Sequence, residues 1–252
     1  MPVSLEVRGL SKRFGGIVVA DAIDLELRAG RIVGLIGPNG AGKTSFFNLV
    51  SGVVRPDSGT VALEGRDLTG MKAHRRARLG LGRTWQSLRL FPSLSVLYNL
   101  LIGARHYPGE RLATLILEHG RVHRAEKAGR QRALEVLQRT GLDGFAHREV
   151  GSVPFGQQKL IGVARALMNE PRCLLLDEPM AGVEGQAYRT IQSLVRTLAA
   201  EGISVCVVEH NVAFIRDLCD EGVFMFAGRV LARGTVESLI ADRRLTELYF
   251  GT

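Results

Sequence analysis

The sequence predicts an α/β fold: a parallel sheet covered by helices, an N-terminal antiparallel β lobe and an inserted α-helical subdomain. Short apolar runs alternate with helical patterns in the last third, as the units of a covered parallel sheet do. The opening segments alternate apolar and polar residues, as half-buried strands do. The middle interleaves charges with Leu and Ala and carries no strand-like run.

Taken in order, residues 5–10 and 23–27 read as the first strands. Residues 31–36 form a short apolar run that enters a glycine-rich turn, 44–51 read as a helix, and 60–64 as another strand. Residues 95–105, 109–118 and 124–140 have helical composition, and 154–169 continue it with Leu160, Val163, Ala164 and Leu167 on one face. A fully apolar strand follows at 173–176 and another at 203–208, separated by a helix whose buried face is Ile191, Leu194, Val195 and Leu198. A hairpin turning at Gly228 and a short helical tail complete the chain. The expected organisation is one domain over 1–252, with an α/β core and β lobe from 1–86 and 166–252 and a helical subdomain from 87–165.

Composition narrows the class. The 252 residues are 46 % apolar and 23 % charged, as in ordinary globular proteins, which excludes a disordered chain. No run approaches the roughly 18 apolar residues of a membrane-spanning helix, and the N-terminus lacks the basic start and apolar stretch of a secretory signal. The expectation is a protein kept in the cytoplasm, with any membrane attachment made through partners. Cys173, Cys206 and Cys219 have no metal-ligand spacing and read as buried, reduced thiols. Thirty-three Lys and Arg against 25 Asp and Glu give a net charge of +8. That excess suits polyphosphate ligands, anionic surfaces or nucleic acid. The arginines are scattered, so no nucleic-acid partner is expected, and the Arg75-Arg76-Arg78 cluster reads as a solvated face.

The strongest chemical signal is Gly37-Pro38-Asn39-Gly40-Ala41-Gly42-Lys43-Thr44, followed by Ser45. It matches the phosphate-loop pattern and sits after a strand and before a helix. Glycines let successive N–H groups point at phosphate oxygens, and the helix N-terminus adds favourable partial charge. Lys43 suits the β- and γ-phosphates of ATP, and the Thr44 hydroxyl suits Mg²⁺. This makes the core one of the P-loop NTPase type. A second element, residues 173–179, is a buried strand that delivers Asp177 and Glu178 to its C-terminal end, where open parallel sheets bind ligands. Asp177 suits the Mg²⁺ shell, and Glu178 can polarise an attacking water. His210 ends the neighbouring strand and can donate to the γ-phosphate. Gln86 opens the helical insert, where an amide can sense Mg²⁺ and the γ-phosphate; on the residues alone it reads as a surface amide.

Phosphate loop, Gln86, the turn Gly156-Gln157, the acidic strand end and His210 occur in the order and spacing of ABC-transporter ATPase subunits. The resemblance covers essentially the whole chain. Closer still, GLIGPNGAGKTSFFNLVSG, RTWQSLRLFPSLSVLYNLLIGA, PFGQQ and LLLDEPMAGV resemble the ATPase subunits of branched-chain amino-acid importers and their relatives for urea and amides. This resemblance implies that two ATPase domains dimerise head to tail around two ATP. Each phosphate loop would face the signature turn of the other subunit, so Gly156 and Gln157 would bind the partner's nucleotide. It implies two permease subunits and, indirectly, a periplasmic or lipid-anchored solute-binding protein, at the cytoplasmic face of the inner membrane. Phe14 stands where the family places an aromatic that stacks on adenine; a core phenylalanine is the other reading. Phe91, Pro92, Leu94 and Tyr98 stand where the family receives the permease, or form plain subdomain core.

Two positions depart from the family pattern. The signature usually reads Leu-Ser-Gly-Gly-Gln, and here it is Val153-Pro154-Phe155-Gly156-Gln157. Pro154 has neither hydroxyl nor N–H, though it fits the first turn of a helix. Glu184 stands where aspartate is usual. Intact hydrolytic residues beside an eroded signature imply an asymmetric complex, in which a different ATPase subunit completes this chain's site. Lipopolysaccharide-transport ATPases usually keep a standard signature and lack the helical text after Ile102. Soluble ABC proteins that act on ribosomes or DNA generally carry two cassettes or a long coiled-coil insert. A non-hydrolytic binding subunit would fit Pro154 but not Glu178 and His210. No sizeable C-terminal regulatory domain is expected after the last core strand.

Overall fold

The computed structural model describes residues 1–104 and 119–250. The expected helical stretch at 109–118 lies outside them, as does Arg105.

Two sheets organise the chain. The first is antiparallel, in the order β2-β1-β4-β5. It is built from β1 (Val3–Phe14), β2 (Ile17–Arg28), β4 (Ser58–Leu63) and β5 (Arg66–Asp67). Leu5, Val7 and Leu10 point inward in β1, and register shifts let the pair β1–β2 run 12 residues each, longer than the sequence pattern shows. The second sheet has the order β10-β9-β3-β8-β7-β6. Its strands are β3 (Ile32–Ile36), β6 (Leu81–Arg83), β7 (Cys173–Asp177), β8 (Ser204–Val208), β9 (Glu221–Phe226) and β10 (Arg229–Gly234). All neighbouring pairs are parallel except β9–β10. The hairpin between those two turns on Ala227 and Gly228, both at positive φ, as a two-residue turn matched to strand twist requires.

The parallel strands are buried on both faces, and period-two alternation divides their side chains between two cores. Leu174, Leu176, Val205 and Val207 face a cluster shared with the helical segments. Those segments are α3 (Val96–Leu101), α4 (His119–Arg139), α5 (Phe155–Leu167) and α6 (Gly185–Ala200). Cys173, Leu175, Cys206 and Val208 face the opposite cluster, with α1 (Lys43–Val50) and the antiparallel sheet. Each fully buried leucine of β7 stabilises the fold by about 2 kcal/mol through area removed from water. The cysteines are free; burial raises the thiol pKa of Cys173 to about 12 and that of Cys206 well above its ordinary value. The tail folds as α8 (Val236–Ala241) and α9 (Arg243–Phe250), after α7 (Val212–Leu218), with Leu239 and Leu245 packed on Ile36 and Phe224.

One expectation is overturned. The Arg75-Arg76-Arg78 cluster lies on α2 (Ala73–Arg78), and Arg76 is fully buried rather than solvated. Its guanidinium donates to the carbonyls of Leu49 and Val50 at the end of α1, and to those of Thr69 and Met71. A buried cation is tolerated there because the last carbonyls of a helix carry no intrahelical partner and a negative partial charge.

Candidate active site

The C-terminal ends of β3, β7 and β8 meet at one edge of the parallel sheet. Asp177 and Glu178 end β7, and Glu209 and His210 follow β8. The phosphate loop connects β3 to α1. Gly37 approaches the β9 backbone so closely that a Cβ there would lie 2.1 Å from the Met225 carbonyl oxygen. Gly42, at φ 99°, starts α1 without any side-chain cap, so no side-chain oxygen covers the helix N-terminus. The tip of the last hairpin supports the loop from below: the Gly228 N–H donates to the Ala41 carbonyl at 3.0 Å.

This edge opens on a cavity of about 420 Å³. Residues Asn39, Gly40, Ala41, Gly42, Lys43, Thr44 and Ser45 line it, together with Gln86, Glu178 and His210. The structure therefore brings the loop, the amide, the strand-end carboxylate and the histidine to one place. Lys43 is buried, and its ammonium donates to the Gly37 and Pro38 carbonyls at 2.5 and 2.8 Å. Desolvation lowers its pKa, opposed by the charges of Glu178 and Asp177. Glu178 is gripped at both oxygens: Gln86 Nε2 donates to Oε2 at 2.9 Å, and His210 Nε2 lies 3.0 Å from Oε1. Each oxygen keeps a lone pair for a further donor.

Glu178 has φ 47°, a left-handed conformation that a non-glycine residue adopts at a cost of about 1–2 kcal/mol. Its backbone is held on both sides. Its N–H donates to the Val208 carbonyl at 2.9 Å, and Lys159 Nζ donates to its carbonyl at 3.0 Å. Glu209 is buried beside it; its Oε1 accepts from the Met180 N–H at 2.6 Å and its Oε2 from the His210 N–H at 3.2 Å. Burial raises the carboxyl pKa of Glu209.

Asp177 is almost fully buried. Its Oδ2 accepts from Arg83 Nη2 at 3.1 Å, while its Oδ1 has no hydrogen-bond partner among the described residues. Desolvation raises its pKa, against the lowering effect of Arg83. A buried, unpartnered carboxylate oxygen beside a phosphate loop fits a hard cation. Mg²⁺ takes one or two protein oxygens and completes its shell with phosphates and water. No cluster of three or more metal-ligating His, Cys, Asp or Glu exists among the described residues.

Six expected residues do not line this cavity: Gly37 and Pro38 of the loop, Asp177, which borders a small pocket with Thr84, Trp85 and Lys159, and Phe14, Gly156 and Gln157. Gly156 and Gln157 sit at the start of α5 and do not line the cavity. Phe14 is half exposed at the end of β1, neither core nor cavity wall, with Lys12 Nζ 5.3 Å from its ring centroid. Ile17, Val18 and Val19 of β2 line the cavity instead. Pro154 is the residue that caps α5, one position before the first turn, and gives no side-chain cap bond. Glu184 caps α6 and also makes none. Arg83, Lys159 and Glu209 were not legible as site residues. Their only sequence signal is position: three residues before Gln86, two after Gln157, and one before His210.

A phosphate loop and two strand-end carboxylates on a parallel sheet define a nucleotide-hydrolysing site of the P-loop class. Comparison with known proteins sharpens that class. The ABC transporter family model matches residues 20–181. BraF of Pseudomonas aeruginosa, a high-affinity branched-chain amino acid transport ATP-binding protein, is 33 % identical over 248 residues, covering 98 % of this chain and 97 % of BraF. A probable ABC transporter ATP-binding protein of Azorhizobium caulinodans is 39 % identical over 253 residues, covering 98 % of this chain and 83 % of that protein. A solved nucleotide-free ATP-binding cassette from an ABC transporter superposes with a TM-score of 0.87 over 100 % of both chains, at 28 % identity. The chain belongs to the ABC transporter family and is an ATPase of that family.

Proposed function

We propose that this chain is the ATP-hydrolysing subunit that powers an inner-membrane importer of branched-chain or related amino acids, by ATP-dependent head-to-tail dimerisation of ATPase domains. The observation that carries the hydrolytic reading is Glu178, held at both carboxylate oxygens by Gln86 and His210 in the cavity walled by the phosphate loop. Lys43 and the loop N–H groups bind the β- and γ-phosphates. Glu178 takes a proton from the attacking water, and His210 orients it. When bound, Mg²⁺ neutralises charge on the transferred phosphoryl group; Thr44, Gln86 and Asp177 are the residues that would hold it. Phe14, paired with Ile17 across the β1–β2 ladder, would stack on adenine.

The substrate class rests on the relatives. BraF and the LivG proteins, including that of Escherichia coli at 33 % identity, are branched-chain amino acid transport ATP-binding proteins. A lipopolysaccharide export ATP-binding protein, LptB of Acidithiobacillus ferridurans, is 34 % identical over 247 residues, so identity alone does not separate the two solutes. The non-standard signature turn favours the importer.

Gly156 and Gln157 lie outside this chain's own cavity, as a head-to-tail dimer requires. Phe91, Leu94, Tyr98 and Ile102 are exposed, and the last three border an apolar groove of about 460 Å³ that suits a permease segment. No helix of the described residues is long and apolar enough to cross a membrane. We assign the chain as one cassette over 1–252 with a helical subdomain at 87–165, docked at the cytoplasmic face on two permease subunits. A second, different ATPase chain would pair with it, and a solute-binding protein would deliver the cargo. The test is uptake of labelled leucine into vesicles holding the reconstituted transporter. Uptake that requires ATP and stops in Glu178→Gln supports the assignment; ATP-driven extraction of lipid without amino-acid uptake overturns it.

A further inference from the structure

We propose that Arg83 is a positioning residue that turns the Asp177 carboxylate so that one oxygen stays free for the divalent cation. This rests on the assignment of Asp177 to Mg²⁺ above. Arg83 ends β6, the strand beside β7, and its side chain is buried together with that of Asp177. The usual arginine–carboxylate pair is a two-point fork that occupies both oxygens. This one is not. Nη2 donates to Asp177 Oδ2 alone, and Nη1 is spent on Asn48 Oδ1 at 2.8 Å and Ser51 Oγ at 2.9 Å. Asp177 Oδ1 and Arg83 Nε are left buried without hydrogen-bond partners among the described residues.

That arrangement is poor for stability, since a buried ion pair with orphaned atoms is weaker than packed apolar side chains of the same volume. It is good for orientation. Asn48 and Ser51 lie at the far end of the helix that begins with Lys43, so the guanidinium ties the carboxylate to the phosphate-loop helix. Two rings pack on the guanidinium as well: its Cζ lies 4.2 Å from the Trp85 ring centroid and 5.6 Å from that of Phe47. Orienting groups behind a metal-binding side chain typically change metal affinity 10- to 100-fold when removed. Lysine cannot replace this function, because one ammonium cannot reach Asp177, Asn48 and Ser51 with a fixed plane.

The test is calorimetric binding of ADP with Mg²⁺ and with EDTA, which needs no turnover. Arg83→Met is expected to lose about tenfold or more of the Mg²⁺-dependent gain in ADP affinity, with affinity in EDTA unchanged. Arg83→Lys should fall between it and the parent. Asn48→Ala removes one of the two ties between the guanidinium and α1, leaving Ser51 and the ion pair in place, and should lose a smaller part of the same gain even where Arg83→Met does not fold. Trp85, the single tryptophan of the chain, supplies a second readout: its emission should shift with Mg²⁺-ADP in the parent and less in the variants. Full retention of the Mg²⁺ gain in the Arg83 and Asn48 variants, with its loss in Asp177→Asn, overturns the role of Arg83 alone. Retention of the gain in Asp177→Asn overturns the metal assignment itself.

Discussion

The strand-end edge and the signature turn are built to opposite standards. At the strand ends, Glu178 has both oxygens and both backbone groups engaged, and Asp177 and Glu209 are each buried with at least one oxygen held. At the signature turn, α5 begins at a proline that offers no capping oxygen, and Phe155 is half exposed, its ring 3.1 Å from where a Cβ on Gly182 would lie. The strand ends are fixed by bonds made within this chain, whereas the start of α5 is left without a side-chain cap. In the proposed head-to-tail assembly, the contrast teaches that the chain's own site and the turn offered to a partner are under different constraints.

The largest expected effect tests the finished half. Glu178→Gln removes the proposed proton acceptor and should lower ATP turnover by about 10²- to 10⁴-fold while leaving nucleotide affinity intact. Single-turnover hydrolysis and equilibrium binding, measured together, separate the two. Lys43→Ala should act the other way, weakening ATP affinity by roughly tenfold to a hundredfold through loss of a charge-assisted contact. Comparable losses in both quantities for both variants would erase the division of labour between loop and carboxylate.

The unfinished half is tested by repair. Pro154→Ser supplies a capping hydroxyl and should stabilise the chain by about 1 kcal/mol, raising Tm by roughly 2–4 °C. In the assembled complex it should also raise ATPase activity at the site this chain lends to its partner, with no change at the chain's own site. A smaller effect comes from Glu209, whose carboxyl is pushed above the ordinary range by burial. A raised folded-state value means the native chain holds its proton where the unfolded chain has lost it. The resulting stability is therefore lost as pH rises above the unfolded carboxylate range toward neutrality. Glu209→Gln should flatten the fall in Tm that sets in as pH rises above the ordinary carboxylate range.

Much of the architecture was legible because motif and strand coincide: residues 173–177 are wholly apolar until the carboxylate, so both the burial of β7 and the direction of Asp177 follow. The glycine pattern of the loop likewise fixed where α1 begins. What was hidden depends on tertiary neighbours. Arg76 reads as one of three exposed cations and is buried because the end of α1 supplies carbonyls. Arg83 and Lys159 look like ordinary surface cations until Asp177 Oδ2 and the Glu178 carbonyl are placed against them. Phe14 ends β1 half exposed and does not line the cavity, which Ile17, Val18 and Val19 of the neighbouring strand border, and no pattern in the sequence separates the two strands in this respect.

The most direct test of the central claim is the ATPase rate of this chain alone and then in complex with a second ATPase subunit and the permeases, with Glu178→Gln as control in each. The account predicts a low rate alone, a large rise in the complex, and its loss in the variant. A rate for the isolated chain equal to that of the complex, or one indifferent to Glu178, would contradict it.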